Sequence, residues 1–338
     1  MSTPLTINSV ETLQEALPLI RASQEAYGTF TQEQVDAICE KTAMAVSKMR
    51  IPLAKMACEE TGYGIVVDKV TKNQYASEHV WNYMRNKKTC GVISEDKAYG
   101  VKKIASPKGV IAAITPTTNP TSTTIYKIML ALKTRNAIIL SPHPHAVNCS
   151  IAAAKIMRDA AIEAGLPEHV ISWISVPSLE ISDVLMKSVD LIMATGGSGM
   201  VKAAYSSGTP AIGVGPGNCN VVIDETADLR MAVESIIHSK TFDNGMICAS
   251  EQHITVLASV YDEVKRLLKE ARCYFLNDEE AAKVADVFFN AKTHGVKPDA
   301  VGQTACRLAE MAGIEVPYDT KVLIHETDDT SHDCPWAN

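Results

Sequence analysis

The chain has 338 residues, a formal net charge of −7 at pH 7 and 46% hydrophobic residues. Its length suits two domains at roughly 150 residues each, and its composition is typical of a globular protein with sizeable cores. The negative charge, without a basic cluster in the chain, excludes a nucleic-acid-binding protein and a protein of acidic membrane surfaces.

The N-terminal 90 residues have the periodicity of helices. Thr31 and Gln34 have the spacing of a capping box, in which each side chain binds the backbone amide of the other residue. The helix that follows has one predicted buried face, formed by Val35, Ile38, Cys39, Thr42, Val46 and Met49. Further helices are predicted at about 9–26, 52–61 and 66–86.

The pattern changes to an alternation of strands and helices after residue 90. Segments 91–94 and 99–104 predict a β-hairpin. Apolar strands are then predicted at 110–114, 137–140, 170–174, 190–194 and 211–214, with helices at about 121–134, 146–164, 178–187 and 199–206 between them. Such strands, separated by helices, predict an α/β fold with a parallel sheet covered on both faces.

The remaining third of the chain returns to an α/β pattern. Strands are predicted at 220–223, 253–258 and 321–326, and helices at 228–240, 260–271, 279–290 and 303–313. The last dozen residues, 327–338, are polar and carry no usable pattern.

Three polar loops follow predicted parallel strands, where ligands of such sheets bind. They are Thr115–Pro120, Ser141–His145 and Thr195–Gly199. The third, Thr-Gly-Gly-Ser-Gly at a strand-to-helix junction, suits a phosphate-bearing cofactor, although an ordinary turn explains it equally well. No Gly-x-Gly-x-x-Gly follows any predicted strand, so a dinucleotide would bind without the usual fingerprint.

His143 and His145 alternate with prolines that fix their backbone. A metal pair is one interpretation, and a rigid cofactor-contacting turn is the other. No Asp, Glu or Cys at ligand spacing accompanies them, so we favour the turn and predict no metal site.

Residues 213–218 contain three glycines in five positions, which predicts an uncrowded space above that strand. Downstream, Cys248 lies in a short turn at 242–252. A turn exposes a thiol and leaves backbone amides available, as a nucleophile that forms an oxyanion requires. The alternative is a buried, inert cysteine, the more common role for one residue among nine.

The same loops, in this order, resemble the aldehyde dehydrogenase superfamily. The similarity covers about residues 5–325. It rests on the Pro107–Val110 and Ile114–Pro120 segments, Ser141–Pro144, Ala194–Val201 and Phe242–Gln252. Within the superfamily these motifs are similar to the CoA-acylating branch, above all the aldehyde dehydrogenase half of bifunctional aldehyde–alcohol dehydrogenases. The resemblance implies a Rossmann-type NAD-binding domain at 1–240 and part of an α/β catalytic domain at 241–338.

The resemblance also implies the site. Cys248 would be the nucleophile, and the family's oxyanion-binding asparagine matches Asn119 or, one position earlier, Thr118. The implied cofactor-binding residues are Thr115, Pro116, Thr117, Ser141, His143, Thr195, Gly196, Gly197, Ser198 and Gly215. Ser141 stands where many relatives carry a ribose-binding lysine, which leaves NADP open, although the branch generally uses NAD.

One absence fits the CoA-acylating branch. Hydrolytic relatives carry a water-activating glutamate at the position matching Gly213, and no carboxylate occurs between Gly208 and Ile223. Without that general base, coenzyme A rather than water would accept the acyl group. The expected substrates are therefore a small aldehyde and an acyl-CoA, and the expected assembly is a homo-oligomer.

Members of the superfamily continue for well over a hundred residues past the position of Val322. We therefore expect this chain to hold a cofactor domain and about half of a catalytic domain. The alternative to an active enzyme is a truncated, non-catalytic subunit that binds nucleotide or assembles with longer copies.

Cysteine usage and the N-terminus predict the compartment. Nine cysteines, without regular spacing or a Cys-x-x-Cys pair, indicate reduced thiols in the cytosol. The N-terminus lacks the features of a signal peptide, and no apolar run approaches the ~18–20 residues of a membrane span. We expect a soluble, cytoplasmic protein.

Overall fold

In the computed structural model, which describes residues 5–291, 295–329, 331, 334 and 336, the chain forms two compact units. The first contains the residues up to Gly62 together with Val66–Pro216. The second contains Tyr63–Ile65 and the residues from Gly217 onward. The units therefore divide at 216/217, whereas the sequence predicts a boundary at 240/241.

The N-terminal part of the first unit is helical, as predicted. Its helices are α1 (Val10–Gly28), α2 (Gln32–Lys48), α3 (Arg50–Thr61), α4 (Val66–Gln74) and α5 (Val80–Met84). The capping box between Thr31 and Gln34 is confirmed, since each side chain binds the backbone amide of the other. Two details differ. The last predicted helix contains a π-helical turn at Tyr75–His79, and Met49 is 39% exposed because α2 ends before it.

The predicted hairpin and parallel sheet are both present. Strands β1 (Gly91–Asp96) and β2 (Val101–Ala105) form an exposed antiparallel hairpin. The sheet and its helices are β3 (Val110–Ile114), α6 (Pro120–Lys133), β4 (Ala137–Ser141), α7 (Val147–Glu163), β5 (Ile171–Trp173), α8 (Leu179–Ser188), β6 (Leu191–Thr195), α9 (Ser198–Ser206) and β7 (Ala211–Val214).

The five strands are parallel and lie in the order β5-β4-β3-β6-β7. Every residue of β3 and β4 is buried, because helices cover the sheet. Helix α6 packs on α7 and α1 packs on α8, while α1 and α6 both contact β3 and β4. The α/β prediction is confirmed. Strands β4 and β5 lie on one side of β3, and β6 and β7 lie on the other, so the strand order reverses between the neighbours β3 and β6. Ligands of such sheets bind beside that reversal.

The second unit contains two small parallel sheets. Its elements are β8 (Cys219–Ile223), α10 (Leu229–Thr241), β9 (Glu251–Val256), α11 (Tyr261–Glu270), β10 (Cys273–Leu276), α12 (Asp278–Phe288), α13 (Ala305–Met311) and β11 (Val322–His325). Strand β8 pairs with β9, and β10 pairs with β11. Because β8 pairs with β9 and α10 packs on α11, residues 217–240 belong to this unit, which explains the shifted boundary. Strand β10 was not predicted.

Candidate active site

The three predicted cofactor loops meet at one edge of the five-stranded sheet. Thr115 directly follows β3, Ser141 ends β4 and Thr195 ends β6. The Thr115 amide donates to the Ser141 carbonyl oxygen over 3.2 Å, so the first two loops are linked directly. Because β3 and β6 are neighbours, the Thr195 loop adjoins the Thr115 loop at the reversal of strand order.

The hydroxyl groups of Thr115 and Ser141 differ in whether they have a hydrogen-bond partner. The Thr115 residue is 2% exposed, and its Oγ1 has no hydrogen-bond partner among the described residues. A buried hydroxyl without a partner costs roughly 1–3 kcal/mol, which a ligand could recover. The Ser141 Oγ lies 3.4 Å from the Ser182 Oγ of α8, so this hydroxyl already has a protein partner. Pro116 and Thr117 follow Thr115 and are half-buried.

The Thr195 loop opens helix α9 with an accessible N-terminus. The Gly196 amide donates to the Val214 carbonyl oxygen over 3.2 Å, which ties this loop to β7. Gly197 is the N-cap residue and has no side-chain cap, and Gly197 and Ser198 are exposed. Exposed amides at a helix N-terminus favour an anion such as a phosphate. A Cβ on Gly215, one residue beyond β7, would lie 4.0 Å from Val201 Cγ2, an ordinary contact distance.

His143 and His145 lie on the exposed turn after β4. The His143 Nδ1 accepts a hydrogen bond from the His145 amide over 3.2 Å, and the two rings are 5.3 Å apart, edge to face. Partial burial and the neighbouring His145 both lower the pKa of His143. His143 is therefore neutral at pH 7, as an acceptor at Nδ1 requires. Within the described ranges, no group of three His, Cys, Asp or Glu residues could hold a metal ion.

Asn119, the N-cap residue of α6, has an amide of fixed orientation. Its Oδ1 accepts from Lys72 Nζ over 2.7 Å, and its Nδ2 lies 3.2 Å from Thr118 Oγ1. Because a lysine can only donate, Oδ1 must face Lys72 and the NH₂ group must face the other way. The Thr118 carbonyl oxygen accepts from Lys69 Nζ over 2.8 Å. Lysines of α4 therefore hold both candidate positions for the oxyanion-binding residue.

The sequence analysis missed a buried lysine at the reversal of strand order. Lys127 of α6 is 3% exposed, and its Nζ donates to the carbonyl oxygens of Ile114 at 2.6 Å and Met193 at 2.7 Å. Ile114 is the last residue of β3 and Met193 lies within β6, so this lysine joins the two strands close to the cofactor loops. Burial lowers the pKa of Lys127 from 10.5 to about 7.

Lys127→Met should change how stability depends on pH. In the unfolded chain the lysine keeps its proton up to its ordinary pKa of 10.5, whereas the folded chain releases it near 7. Between these values the unfolded state binds more protons than the folded state. The free energy of unfolding of the wild type therefore rises with pH, by up to roughly 1.4 kcal/mol per pH unit from this group. Guanidinium unfolding at pH 6, 7.5 and 9 should show that, above pH 7, the free energy of unfolding of the wild type rises relative to that of the variant. A difference independent of pH would contradict this expectation.

The space beside Gly213 is filled, contrary to the uncrowded space that the glycines predict. A Cβ on Gly213 would lie 2.7 Å from the Tyr205 ring and 2.7 Å from Val201 Cγ1. The Tyr205 hydroxyl accepts a hydrogen bond from the Gly213 amide over 3.0 Å. Side chains of helix α9 therefore occupy the place of a side chain at position 213, where the resemblance places the glutamate of hydrolytic relatives.

In the second unit, Cys248 is exposed on an irregular turn between α10 and β9. The preceding residues Asp243, Asn244 and Gly245 have φ angles of 50°, 53° and 74°. Asp243 and Asn244 are thus non-glycine residues in the left-handed region. This backbone conformation costs of order 1–3 kcal/mol per residue and persists only where surrounding contacts stabilise it.

Hydrogen bonds from distant parts of the second unit hold this turn. The Asp243 side chain is fully buried, and its Oδ1 accepts from the Ile65 amide over 2.7 Å. The Asn244 Nδ2 donates to the Gly302 carbonyl oxygen over 2.8 Å. A Cβ on Gly64 would lie 2.8 Å from Asp243 Cγ, so only glycine permits this approach.

Gly217 packs against the backbone of Cys248 itself. A Cβ at Gly217 would lie 2.8 Å from the Cys248 carbonyl carbon and 3.1 Å from its Cα, and closer still to its carbonyl oxygen. Since real Cβ atoms essentially never approach backbone within 3.0 Å, glycine is required at this position. The glycine-rich segment therefore positions the nucleophile candidate.

None of the described helices is long and apolar enough to cross a membrane. The candidate residues divide between the units: all cofactor candidates and Asn119 belong to the first, and Cys248 to the second.

A profile of the aldehyde dehydrogenase family matches residues 6–284. An aldehyde-alcohol dehydrogenase of Clostridium acetobutylicum is 50% identical over 332 residues, which cover 98% of this chain and 38% of the relative. The chain thus spans 38% of the length of the first curated relatives it matches.

Solved structures show the same similarity. An acetylating aldehyde dehydrogenase from Geobacillus thermoglucosidasius is 45% identical with a TM-score of 0.92, covering 97% of this chain and 72% of that one. A propionaldehyde dehydrogenase from Rhodopseudomonas palustris, with bound CoA and an acylated cysteine, is 29% identical with a TM-score of 0.84. It covers 99% of this chain and 75% of that one.

Proposed function

Because this chain belongs to the aldehyde dehydrogenase family, we propose that it oxidises a small aldehyde to an acyl-CoA with reduction of NAD, reversibly. The observation that carries the proposal is the exposed Cys248 on a turn held by partly buried hydrogen bonds. The propionaldehyde dehydrogenase whose structure contains bound CoA and an acylated cysteine supports acyl transfer through a cysteine in this chain.

In the proposed reaction the Cys248 thiolate attacks the aldehyde carbonyl. The resulting alkoxide would be stabilised by the Cys248 backbone amide. The family resemblance suggests the Asn119 NH₂ group as a second donor, and Lys72 directs that group away from itself. A nicotinamide cofactor bound at the sheet edge supplies the hydride acceptor. The thioester left on Cys248 is then released by the thiol of coenzyme A, and the reverse sequence reduces acyl-CoA to aldehyde.

The surroundings of Gly213 support a thiol rather than water as the acyl acceptor. No carboxylate occurs between Gly208 and Ile223, and Tyr205 fills the place of a side chain at position 213. A thioester without a neighbouring general base hydrolyses slowly, whereas a thiol is a strong nucleophile that needs less activation.

The test is NADH formation from acetaldehyde and NAD, with and without coenzyme A. We expect turnover that requires coenzyme A. Full activity without coenzyme A would contradict the acylating proposal and favour hydrolysis. NAD binding measured by calorimetry without any turnover would favour the non-catalytic subunit instead.

We propose NAD rather than NADP as the cofactor. The turn after β4 has serine, prolines and two histidines but no Lys or Arg, and the lowered pKa of His143 leaves that imidazole uncharged at pH 7. A 2′-phosphate needs a cation nearby, usually an arginine. The ratio of kcat/KM for the two cofactors tests this preference, and a ratio favouring NADP would contradict it.

A cytoplasmic homo-oligomer is the proposed state of the protein. Its nine free cysteines fit a reducing compartment. The hairpin exposes Val92, Ile93, Val101 and Ile104, which supports contact with another copy. Light scattering of the purified chain tests the assembly, and a monomer at micromolar concentration would contradict it. Fractionation of the source cells tests the compartment, and recovery outside the cytoplasmic fraction would contradict it.

A further inference from the structure

A second thiol lies beside the backbone of Cys248. The Sγ of Cys219, the first residue of β8, lies 3.3 Å from the Cys248 carbonyl oxygen and donates a weak hydrogen bond to it. Both residues belong to the second unit and both are free thiols. Cys248 is exposed and Cys219 partly exposed, so a small oxidant can reach both sulfurs.

The backbone segments that carry these two residues lie close together. A disulfide requires Cα atoms about 4.4–6.8 Å apart. Gly217, two residues before Cys219, packs against the Cα of Cys248. Cys248 lies in a turn, and Cys219, which pairs with Glu251, stands beside an irregularity in the β8–β9 register. A disulfide therefore requires the Cys248 side chain to turn toward β8, where the Cys219 Sγ already contacts the Cys248 carbonyl oxygen.

Three of the other cysteines differ from this pair. Burial raises the pKa of Cys39 and Cys273 to about 12, which leaves almost no thiolate at pH 7. Cys306 is partly exposed like Cys219, but its Sγ contacts the carbonyl oxygens of Pro317, Tyr318 and Thr320, none of which is a cysteine. It therefore provides a matched control.

We propose that Cys219 is a resolving thiol that forms a reversible disulfide with Cys248 when a hydroperoxide oxidises the site. The Cys248 thiolate attacks a peroxide oxygen, the O–O bond breaks, and a sulfenic acid forms as water or an alcohol leaves. The Cys219 sulfur then attacks the sulfenic sulfur, the S–O bond breaks, and water leaves. Together the two thiols lose two electrons, which the hydroperoxide gains.

This modification protects Cys248 from irreversible oxidation. A sulfenic acid without a neighbouring thiol proceeds to sulfinic acid, whereas a disulfide returns to two thiols on reduction. The inhibition that follows from the disulfide rests on the proposed function, because it requires Cys248 to be the nucleophile. Formation of the disulfide itself requires only the two neighbouring sulfurs.

Peptide mapping tests the disulfide directly. The full chain is treated with hydrogen peroxide, remaining thiols are alkylated, and the protein is digested with trypsin without reductant. Cleavage after Lys202, Arg230, Lys240 and Lys265 yields peptides 203–230 and 241–265, each with a single cysteine. We expect these two peptides joined, at the sum of their masses less two hydrogens, and separate again after dithiothreitol.

Two variants complete the design. Cys219→Ser should abolish the joined peptide and convert Cys248 to sulfinic acid, while Cys306→Ser should leave the joined peptide at its wild-type level. Each variant is compared with its own untreated sample. Activity, where present, should return with dithiothreitol in the wild type and in Cys306→Ser but not in Cys219→Ser.

The outcomes distinguish this proposal from the proposed function. Cys248 recovered only as sulfinic or sulfonic acid, or joined mainly to a cysteine other than Cys219, would overturn the resolving role even if the enzyme is active. A joined peptide in a chain without turnover would support the disulfide while contradicting the proposed function.

Discussion

Cys248→Ala should reduce NADH formation from acetaldehyde, NAD and coenzyme A by roughly 10³- to 10⁶-fold, the loss typical of removing a covalent nucleophile. An alanine cannot form the thiohemiacetal from which hydride leaves, and no other described thiol occupies an exposed position on this turn. The cofactor candidates all lie in the first unit, so the variant should still bind NAD.

Steady-state rates and calorimetry with NAD test this expectation together. Cys306→Ala is the control, because it removes a partly exposed thiol of the same unit that does not lie on the Cys248 turn. Turnover of Cys248→Ala within tenfold of the wild type would exclude Cys248 as the nucleophile. Loss of NAD binding in the same variant would indicate a folding defect.

Gly217→Ala should lower kcat/KM by about 100-fold or more, the loss that a displacement of about 1 Å can cause at a reacting group. The added Cβ would overlap backbone atoms of Cys248, which no side-chain rotation can relieve. The turn must therefore move, and overpacking should also cost about 1–3 kcal/mol of stability.

The control for this variant is Gly28→Ala in the first unit. A Cβ there has its nearest neighbours at 3.6 and 3.7 Å, an ordinary contact distance. The measurements are kcat/KM, thermal unfolding and the rate at which iodoacetamide alkylates Cys248. If Gly217→Ala kept wild-type kinetics and alkylation, Gly217 would not position the nucleophile.

The sheet could be predicted in detail because its local patterns agree with its tertiary environment. Val110–Ile114 are five apolar residues between polar loops, and the strand has those bounds in the structure. The Thr31 capping box likewise depends on residues three positions apart. Strand β10 was not predicted because it has only four residues. It forms a strand by pairing with β11, some fifty residues later in the chain.

The sequence supplies candidate residues for the site, and the structure adds contacts that the sequence does not indicate. The cofactor loops follow directly from strand ends, and the motif around Cys248 is contiguous in sequence. Lys127 gives no such signal, because a lysine on a helix ordinarily faces solvent and only the sheet supplies its two carbonyl partners. Tyr205 beside Gly213 and Cys219 beside Cys248 likewise depend on packing that no periodicity encodes.

The hydrogen bond from the Ile65 amide to Asp243 joins positions 178 residues apart. On a ribosome that adds about 5–20 residues per second, Ile65 emerges roughly 9–36 seconds before Asp243. The parallel sheet is translated in this interval, since β3 to β7 all lie between the two positions. The turn that carries Cys248 can therefore reach its final conformation only after the nascent chain has produced the strands beside which the cofactor candidates lie.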